Sequence, residues 1–184
     1  MNMKNSDERT ETGKAMEQLQ EIVARLRDPE TGCPWDKRQT LESLKPFCIE
    51  ESAEVVAGIN QYTAAGNADN LKEELGDLLL QIVLQAQVAE EQGLFTLSDV
   101  IRVISEKMIR RHPHVFHPGD PDNGDLEDII RENQPLDEEG RLLTSWADIK
   151  ALEKKGKDTS DSWLNEAFGE VGELIQKAKE RKGF

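Results

Sequence analysis

The stretch that decides the fold is residues 50–77, EESAEVVAGINQYTAAGNADNLKEELGD, in which two acidic clusters flank an Ala-Ala-Gly-Asn turn. Gly and Asn favour a turn, and the segments on both sides have the composition of helices. An antiparallel helical hairpin would place Glu54 level with Glu74, because both residues lie equally far from the turn. The same symmetry would place Glu51 level with Asp77. The sequence therefore predicts that two helices bring four carboxylates together.

These carboxylates form a candidate metal site. Within each helix the two acidic residues are spaced i,i+3, so their side chains share a face. Close carboxylates repel by about 4 kcal/mol per pair at an effective dielectric near 20, so a cation must bind or some carboxylates must stay protonated. Ligands that are all oxygen favour Mg²⁺ or Mn²⁺ over zinc. The alternative reading of the residues alone is a solvated acidic helix face.

Composition limits the class of protein. The 184 residues suffice for one domain with its own core, and the formal net charge of −14 gives a surface that repels nucleic acid. Cys33 and Cys48 match no zinc pattern, and residues 1–15 lack the basic start and apolar run of a secretion signal. We expect a cytoplasmic protein with reduced thiols that binds neither nucleic acid nor membrane.

Apolar periodicity, turn residues and capping residues predict an all-α chain. Residues 1–15 are expected to be a disordered lead and residues 156–184 a C-terminal helical extension. In residues 118–140, prolines and glycines alternate with acidic residues, which predicts a flexible acidic loop with a turn of helix near Leu126. The predicted helices span residues 16–26, 43–62, 71–92, 96–111, 143–154 and 163–182.

A compact basic group closes the fourth predicted helix. Lys107 and Arg111 are spaced i,i+4 and face the same way, with Arg110 beside them. In so acidic a chain this group is suited to hold phosphate oxygens. The alternative is the common stabilising placement of cations at a helix C-terminus.

Two tryptophans stand close to lysines. Trp35 precedes Lys37 in a Pro-rich loop, and Trp146 lies four residues before Lys150. A ring beside a cation suits a ligand that has both a base and a phosphate. The more common role of a Trp is to fill a core or an interface.

Together these motifs resemble the MazG family of nucleoside triphosphate pyrophosphohydrolases, within the all-α NTP pyrophosphatase superfamily. The resemblance covers residues 16–155, and the ordered combination is specific although each motif alone is weak. The motifs are Cys33-Pro34-Trp35-Asp36-Lys37, Glu50-Glu51-x-x-Glu54, Glu74-Leu75-Gly76-Asp77, Arg110-Arg111-His112-Pro113-His114-Val115-Phe116 and Trp146-x-x-x-Lys150.

The resemblance implies a four-helix-bundle-like domain that forms a homodimer, with a tetramer as the alternative. It implies Mg²⁺-dependent hydrolysis of nucleoside triphosphates to monophosphate and pyrophosphate, with Mn²⁺ as a substitute ion and nucleotide-pool housecleaning as the role. The implied metal ligands are Glu51, Glu54, Glu74 and Asp77, with Glu50 as a support or to orient water. The residues expected to contact substrate are Lys107, Arg110, Arg111, Trp146, Lys150, Trp35 and Lys37.

The sequence departs from the family pattern in two respects. Many MazG proteins carry two such domains in tandem, whereas this sequence resembles one catalytic unit followed by a linker helix. A phosphate-contacting Lys of the family falls on Asn70 here, so we expect that contact to be absent or to be made by Lys72.

Two alternatives to a general pyrophosphohydrolase remain. One is a related enzyme specific for dUTP or phosphoribosyl-ATP. The other is a non-catalytic acidic helical module that binds a protein partner or calcium. The ligand set and the basic pair together favour an enzyme, because such a module needs neither.

Overall fold

The computed structural model of the protein describes residues 6–155 and 162–183. These residues contain seven α-helices and no β-strand, which confirms the all-α prediction; an isolated antiparallel bridge joins Leu136 and Leu142. The helices are α1 (Ser6–Leu26), α2 (Leu41–Ala65), α3 (Asp69–Glu91), α4 (Leu97–Arg111), α5 (Glu127–Glu132), α6 (Trp146–Lys154) and α7 (Ser162–Lys182), with 3-10 turns at Asp36–Arg38 and Gly124–Leu126.

The hairpin of α2 and α3 is bounded by clear signals. Thr40 caps α2, since its hydroxyl accepts from the Ser43 amide at 3.1 Å and its own amide donates to the Ser43 hydroxyl at 2.9 Å. The cap lies three residues before residue 43, where the predicted helix began, because Thr40 and Ser43 together form a capping box. At the other end Gly66 adopts the left-handed conformation, with φ of 73°, and ends the helix.

A glycine lets α2 and α3 approach closely. Gly58 is buried, and a Cβ at this position would lie 2.9 Å from the Leu71 Cα. Further along the hairpin, the Gln85 amide donates to the Cys48 sulfur. Gly58 with Leu71, and Cys48 with Gln85, lie on opposite sides of the turn, so the predicted antiparallel hairpin is present.

The first of two compact units comprises the described residues 6–97 and 166–183. Its core is built mainly from the second half of α3, to which α1, α2 and the start of α4 add buried side chains. The buried apolar residues are Val23, Leu44, Val83, Leu84, Ala86, Val88 and Leu97. Of these, four come from α3, which fits the long apolar stretch in its sequence.

Arg27 fastens the segment after α1 to the end of α3. Its side chain is only 6% exposed and donates to both Glu91 oxygens, at 2.8 and 2.7 Å. The same guanidinium donates to the backbone carbonyls of Asp36, at 2.5 Å, and Gln39, at 3.2 Å. These hydrogen bonds fix the loop that leads into α2.

The first helix is longer than predicted. It begins at Ser6 rather than at residue 16. Residues 6–15 are polar and carry no apolar stripe, so periodicity could not detect a helix there. The part of the expected disordered lead before Ser6 lies outside the described residues, as do residues 156–161 and 184 of the expected extension.

The second compact unit comprises the described residues 98–155 and 162–165. Its buried side chains include Ile109, Ile130 and Ile149, from α4, α5 and α6. In the acidic loop, Glu127 accepts from the Gly119 amide at 2.9 Å and from the Asn123 side chain at 2.6 Å. The expected turn of helix near Leu126 is present as a 3-10 turn followed by α5.

None of the helices within residues 6–155 and 162–183 combines the length and the apolar character that a membrane crossing requires.

Candidate metal and nucleotide site

Three carboxylates converge between α2 and α3. Glu51, Glu54 and Glu74 each offer an oxygen, and these oxygens all lie within 4.8 Å of one another. All three residues are partly buried. Asp77, the fourth residue expected here, is exposed and lies outside this group, although it acts on Glu51 electrostatically.

Burial and acidic neighbours both act on the pKa of Glu51. Burial raises this pKa above its ordinary value, and the neighbouring charges of Asp77, Glu50 and Glu74 raise it further. Lys182 acts in the opposite direction but does not reverse the shift. An ionised carboxylate is thus disfavoured at Glu51 until a cation arrives.

The donor set fits a hard divalent cation. Carboxylate oxygens from two packed helices are the ligands that Mg²⁺ and Mn²⁺ prefer. No His or Cys belongs to the group formed by the described residues, so a softer metal would lack its usual ligands. The site therefore suits the ion implied by the sequence.

Positive charge reaches this site from α7. Lys182 forms an ion pair with Glu54, and its ammonium lies 3.9 Å from Glu50. Arg181 donates to the other Glu50 oxygen at 2.8 Å. Sequence reasoning treated α7 only as an extension and missed both partners. The signal was present in the basic last turn of α7, which contains Lys179, Arg181 and Lys182.

A cavity of about 490 Å³ lies between α7 and the hairpin. Glu50, Glu54 and Glu74 line its acidic side. The rest of the wall is mostly apolar or basic and consists of Ile49, Ala53, Ala57, Ile175, Ala178, Lys179 and Lys182.

In the second unit, the predicted arginines Arg110 and Arg111 both bind a partly buried acid, Glu153. Arg110 donates to Glu153 at 3.1 Å, and Arg111 donates to the same carboxylate at distances down to 2.7 Å. Burial raises the pKa of Glu153, but the hydrogen bonds from Arg111 and Arg110 outweigh it and leave the pKa below its ordinary value. The Arg111 guanidinium lies 5.0 Å from the centre of the Trp146 ring, within cation–π range.

Glu153 was missed by sequence reasoning. Trp146, Lys150 and Glu153 follow the i, i+4, i+7 spacing of one face of α6, so the pattern was available. Lys107 and Lys150 form no ion pair with any residue that the structure describes. The structure thus brings Arg110, Arg111 and Trp146 together and leaves both lysines without an acidic partner in that part of the chain.

The remaining predicted contacts lie at the loop after α1. Trp35 is 44% exposed and packs edge-on against Phe47, with ring centres 5.4 Å apart. The Lys37 ammonium donates to the Pro29 carbonyl at 3.1 Å. Lys72, considered as a replacement for the missing Lys, lies 3.6 Å from Asp69 in an exposed pair.

Comparison with known proteins identifies the family. The family model described as the MazG nucleotide pyrophosphohydrolase domain matches residues 39–116, which include the hairpin and α4. The nucleoside triphosphate pyrophosphohydrolase/pyrophosphatase MazG of Thermotoga maritima is 44% identical over 165 residues, covering 90% of this chain and 53% of that protein. The nucleoside triphosphate pyrophosphohydrolase of Escherichia coli K12 is 34% identical, covering 90% of this chain and 68% of that protein.

A third relative has no named activity. The uncharacterized protein YabN of Bacillus subtilis is 41% identical, with 85% of this chain covering 27% of that protein. The chain thus spans between about a quarter and two thirds of the length of these relatives. The chain belongs to the MazG family of nucleotide pyrophosphohydrolases.

Proposed function

We propose that this protein hydrolyses nucleoside triphosphates to nucleoside monophosphates and pyrophosphate, with Mg²⁺ as the ion and Mn²⁺ as its substitute. The observation that carries the proposal is the convergence of Glu51, Glu54 and Glu74 from two packed helices. Family membership supports it, because the relatives from Thermotoga maritima and Escherichia coli are named for this reaction.

The acidic cluster would hold the ion. Glu51, Glu54 and Glu74 would be the ligands, and Asp77 would join them from its exposed position beside Glu51. A divalent cation held there would neutralise phosphate oxygens and make water more acidic. Glu50 would then orient a water molecule and accept its proton, once Arg181 has released it.

The reaction transfers the nucleoside monophosphate group, with its α-phosphorus, to water. Water oxygen bonds to the α-phosphorus, the bond from that phosphorus to the bridging oxygen breaks, and pyrophosphate leaves with the bridging oxygen. Lys107, Arg111 and Lys150 would offset the charge that develops on the leaving group. Arg111 would do so while it remains hydrogen-bonded to Glu153, which also accepts a hydrogen bond from Arg110.

Aromatic residues would bind the nucleoside. Trp146 presents an exposed ring beside Arg111, and Trp35 with Lys37 offers a second combination of ring and cation. Such rings stack on bases with little dependence on base identity, which suits an enzyme that acts on several nucleotides.

The proposed assembly is a homodimer in the cytoplasm, with housecleaning of the nucleotide pool as its role. The hairpin exposes large apolar side chains that a second subunit could cover. These are Val56, Ile59, Tyr62, Leu75 and Ile82.

A panel of nucleoside triphosphates, dUTP and phosphoribosyl-ATP tests the proposal. Pyrophosphate and orthophosphate are assayed separately with Mg²⁺ present. Glu74→Gln should lower pyrophosphate release at least about 100-fold, because it removes one charged ligand. The matched control is Glu73→Gln, an exposed neighbour outside the converging group, which should retain activity.

Three outcomes would change the conclusion. Full activity of Glu74→Gln would reject the metal site. Hydrolysis of dUTP or phosphoribosyl-ATP alone would favour the specific enzyme, and no hydrolysis of any nucleotide would favour the non-catalytic module.

A further inference from the structure

The basic end of α7 lies where a cation is expected. Lys182 is ion-paired with Glu54, which belongs to the converging carboxylates. Its neighbour Arg181 is hydrogen-bonded to Glu50 at 2.8 Å. An ammonium group and a divalent cation at this site would therefore compete for the same carboxylate.

We propose that the last turn of α7 is an internal counter-ion for the carboxylate site, and that a divalent cation must displace it in order to bind. This inference rests on the metal site of the proposed function and adds its regulation. While α7 is docked, Lys182 neutralises Glu54 and keeps cation affinity low. When a cation binds, Lys182 is released and α7 undocks.

The way α7 is held makes this displacement feasible. Three ion pairs join it to α2: Lys45 pairs with Glu170 at 3.1 Å, in addition to the pairs made by Arg181 and Lys182. These side chains are partly exposed, and such pairs contribute little stability each. The Arg181 guanidinium also lies 5.9 Å from the centre of the Phe47 ring. A cavity of about 490 Å³ remains between α7 and the hairpin, so the packing of this interface is incomplete.

Competition makes the coupling reciprocal. If docking of α7 weakens cation binding, cation binding must weaken docking by the same factor. A partner that holds α7 in place would inhibit the enzyme, and one that binds the free helix would activate it.

Mn²⁺ titration of the full chain tests the inference without reference to catalysis. Calorimetry compares the wild type with Lys182→Gln and with Lys177→Gln, an equal loss of charge at an exposed position of the same helix. Lys182→Gln should bind Mn²⁺ about 5-fold more tightly, at the lower end of the coupling between linked sites. Lys177→Gln should remain within about 2-fold of the wild type, since its charge is screened by solvent.

Glu170→Gln distinguishes the effect of α7 docking on Mn²⁺ affinity from the effect of removing a negative charge. Loss of this negative charge would weaken cation binding if only long-range electrostatics mattered. Loss of its pair with Lys45 should instead loosen α7 and tighten Mn²⁺ binding. Hydrogen–deuterium exchange of the α7 amides should rise when Mn²⁺ is added to the wild type, and should already be high in Lys182→Gln.

The inference is wrong if Lys182→Gln binds Mn²⁺ no more tightly than Lys177→Gln, or if Mn²⁺ leaves exchange in α7 unchanged. Weaker or unchanged binding by Glu170→Gln would overturn the role of docking. Pyrophosphate release is measured separately. Absence of hydrolysis with these affinity differences intact would reject the proposed reaction and support the inference.

Discussion

Replacing Gly58 by alanine should force apart the two helices that carry the acidic site. The added Cβ would lie 2.9 Å from the Cα and 3.2 Å from the backbone nitrogen of Leu71. Both neighbours are main-chain atoms, so no side-chain rotation can relieve the contact. The helices must separate by a few tenths of an ångström where Glu54, one turn before Gly58, faces Glu74.

Two opposing effects determine the size of the change. Alanine in a helix interior is about 0.5–1 kcal/mol more favourable than glycine. Overpacking of a close contact costs about 1–3 kcal/mol, which is the larger effect. We expect a net loss of roughly 1–2 kcal/mol in the free energy of unfolding, which lowers the melting temperature by about 3–6 °C.

Gly76→Ala is the matched control on the other helix of the hairpin. A Cβ there has no neighbour among the described residues within 4 Å, so only the helix propensity changes. This variant should gain about 0.5–1 kcal/mol. Urea unfolding followed by circular dichroism measures both, and Mn²⁺ titration should show several-fold weaker binding by Gly58→Ala. If Gly58→Ala unfolds at the same urea concentration as Gly76→Ala, the close approach at Leu71 is refuted.

Two further substitutions test the hydrogen bonds of Arg27 and the charge of the carboxylate site. Arg27→Met should lower the free energy of unfolding by about 2–3 kcal/mol, because it leaves the Asp36 carbonyl and Glu91 without their buried partner. Urea unfolding measures this loss. The control Arg25→Met should show almost no change, since the pair of Arg25 with Glu21 is exposed. Glu51→Gln should stabilise the metal-free protein near neutral pH, since a pKa raised by folding means that the ionised carboxylate opposes folding. The wild type regains this stability as the pH falls through the raised pKa, so the thermal unfolding curves of the wild type and Glu51→Gln should converge at acid pH. A difference in stability that stays constant across pH would contradict the raised pKa of Glu51.

The hairpin could be predicted because the sequence signals that specify it lie close together in the chain. A turn of Gly and Asn, i,i+3 acidic pairs and symmetric spacing are all contained within residues 50–77. The all-α class follows in the same way from periodicity over short windows. The longer α1 escaped this reasoning, since a polar helix without an apolar stripe has no such period.

The partners of the site could not be predicted from local pattern. Lys182 and Glu54 are remote in sequence, and only the tertiary structure brings α7 to α2. The pairing of Arg110 and Arg111 with Glu153 depends likewise on the packing of α4 and α6. The sequence around Arg27 predicts only a cation at the end of a helix. No residue close to it in sequence indicates that Glu91 accepts its hydrogen bonds.

The carboxylates lie on the two helices of one hairpin, and this also affects the order in which the protein folds. Glu54 and Glu74 are separated by a loop of only ~20 residues, so the closure entropy of the segment between them is small. Contacts of such low sequence separation form early and quickly. The acidic cluster should therefore assemble with the first stable helix pair, before the remote α7 arrives. During that interval the nascent site exposes its full negative charge, so Mg²⁺ in the folding medium should accelerate formation of the hairpin.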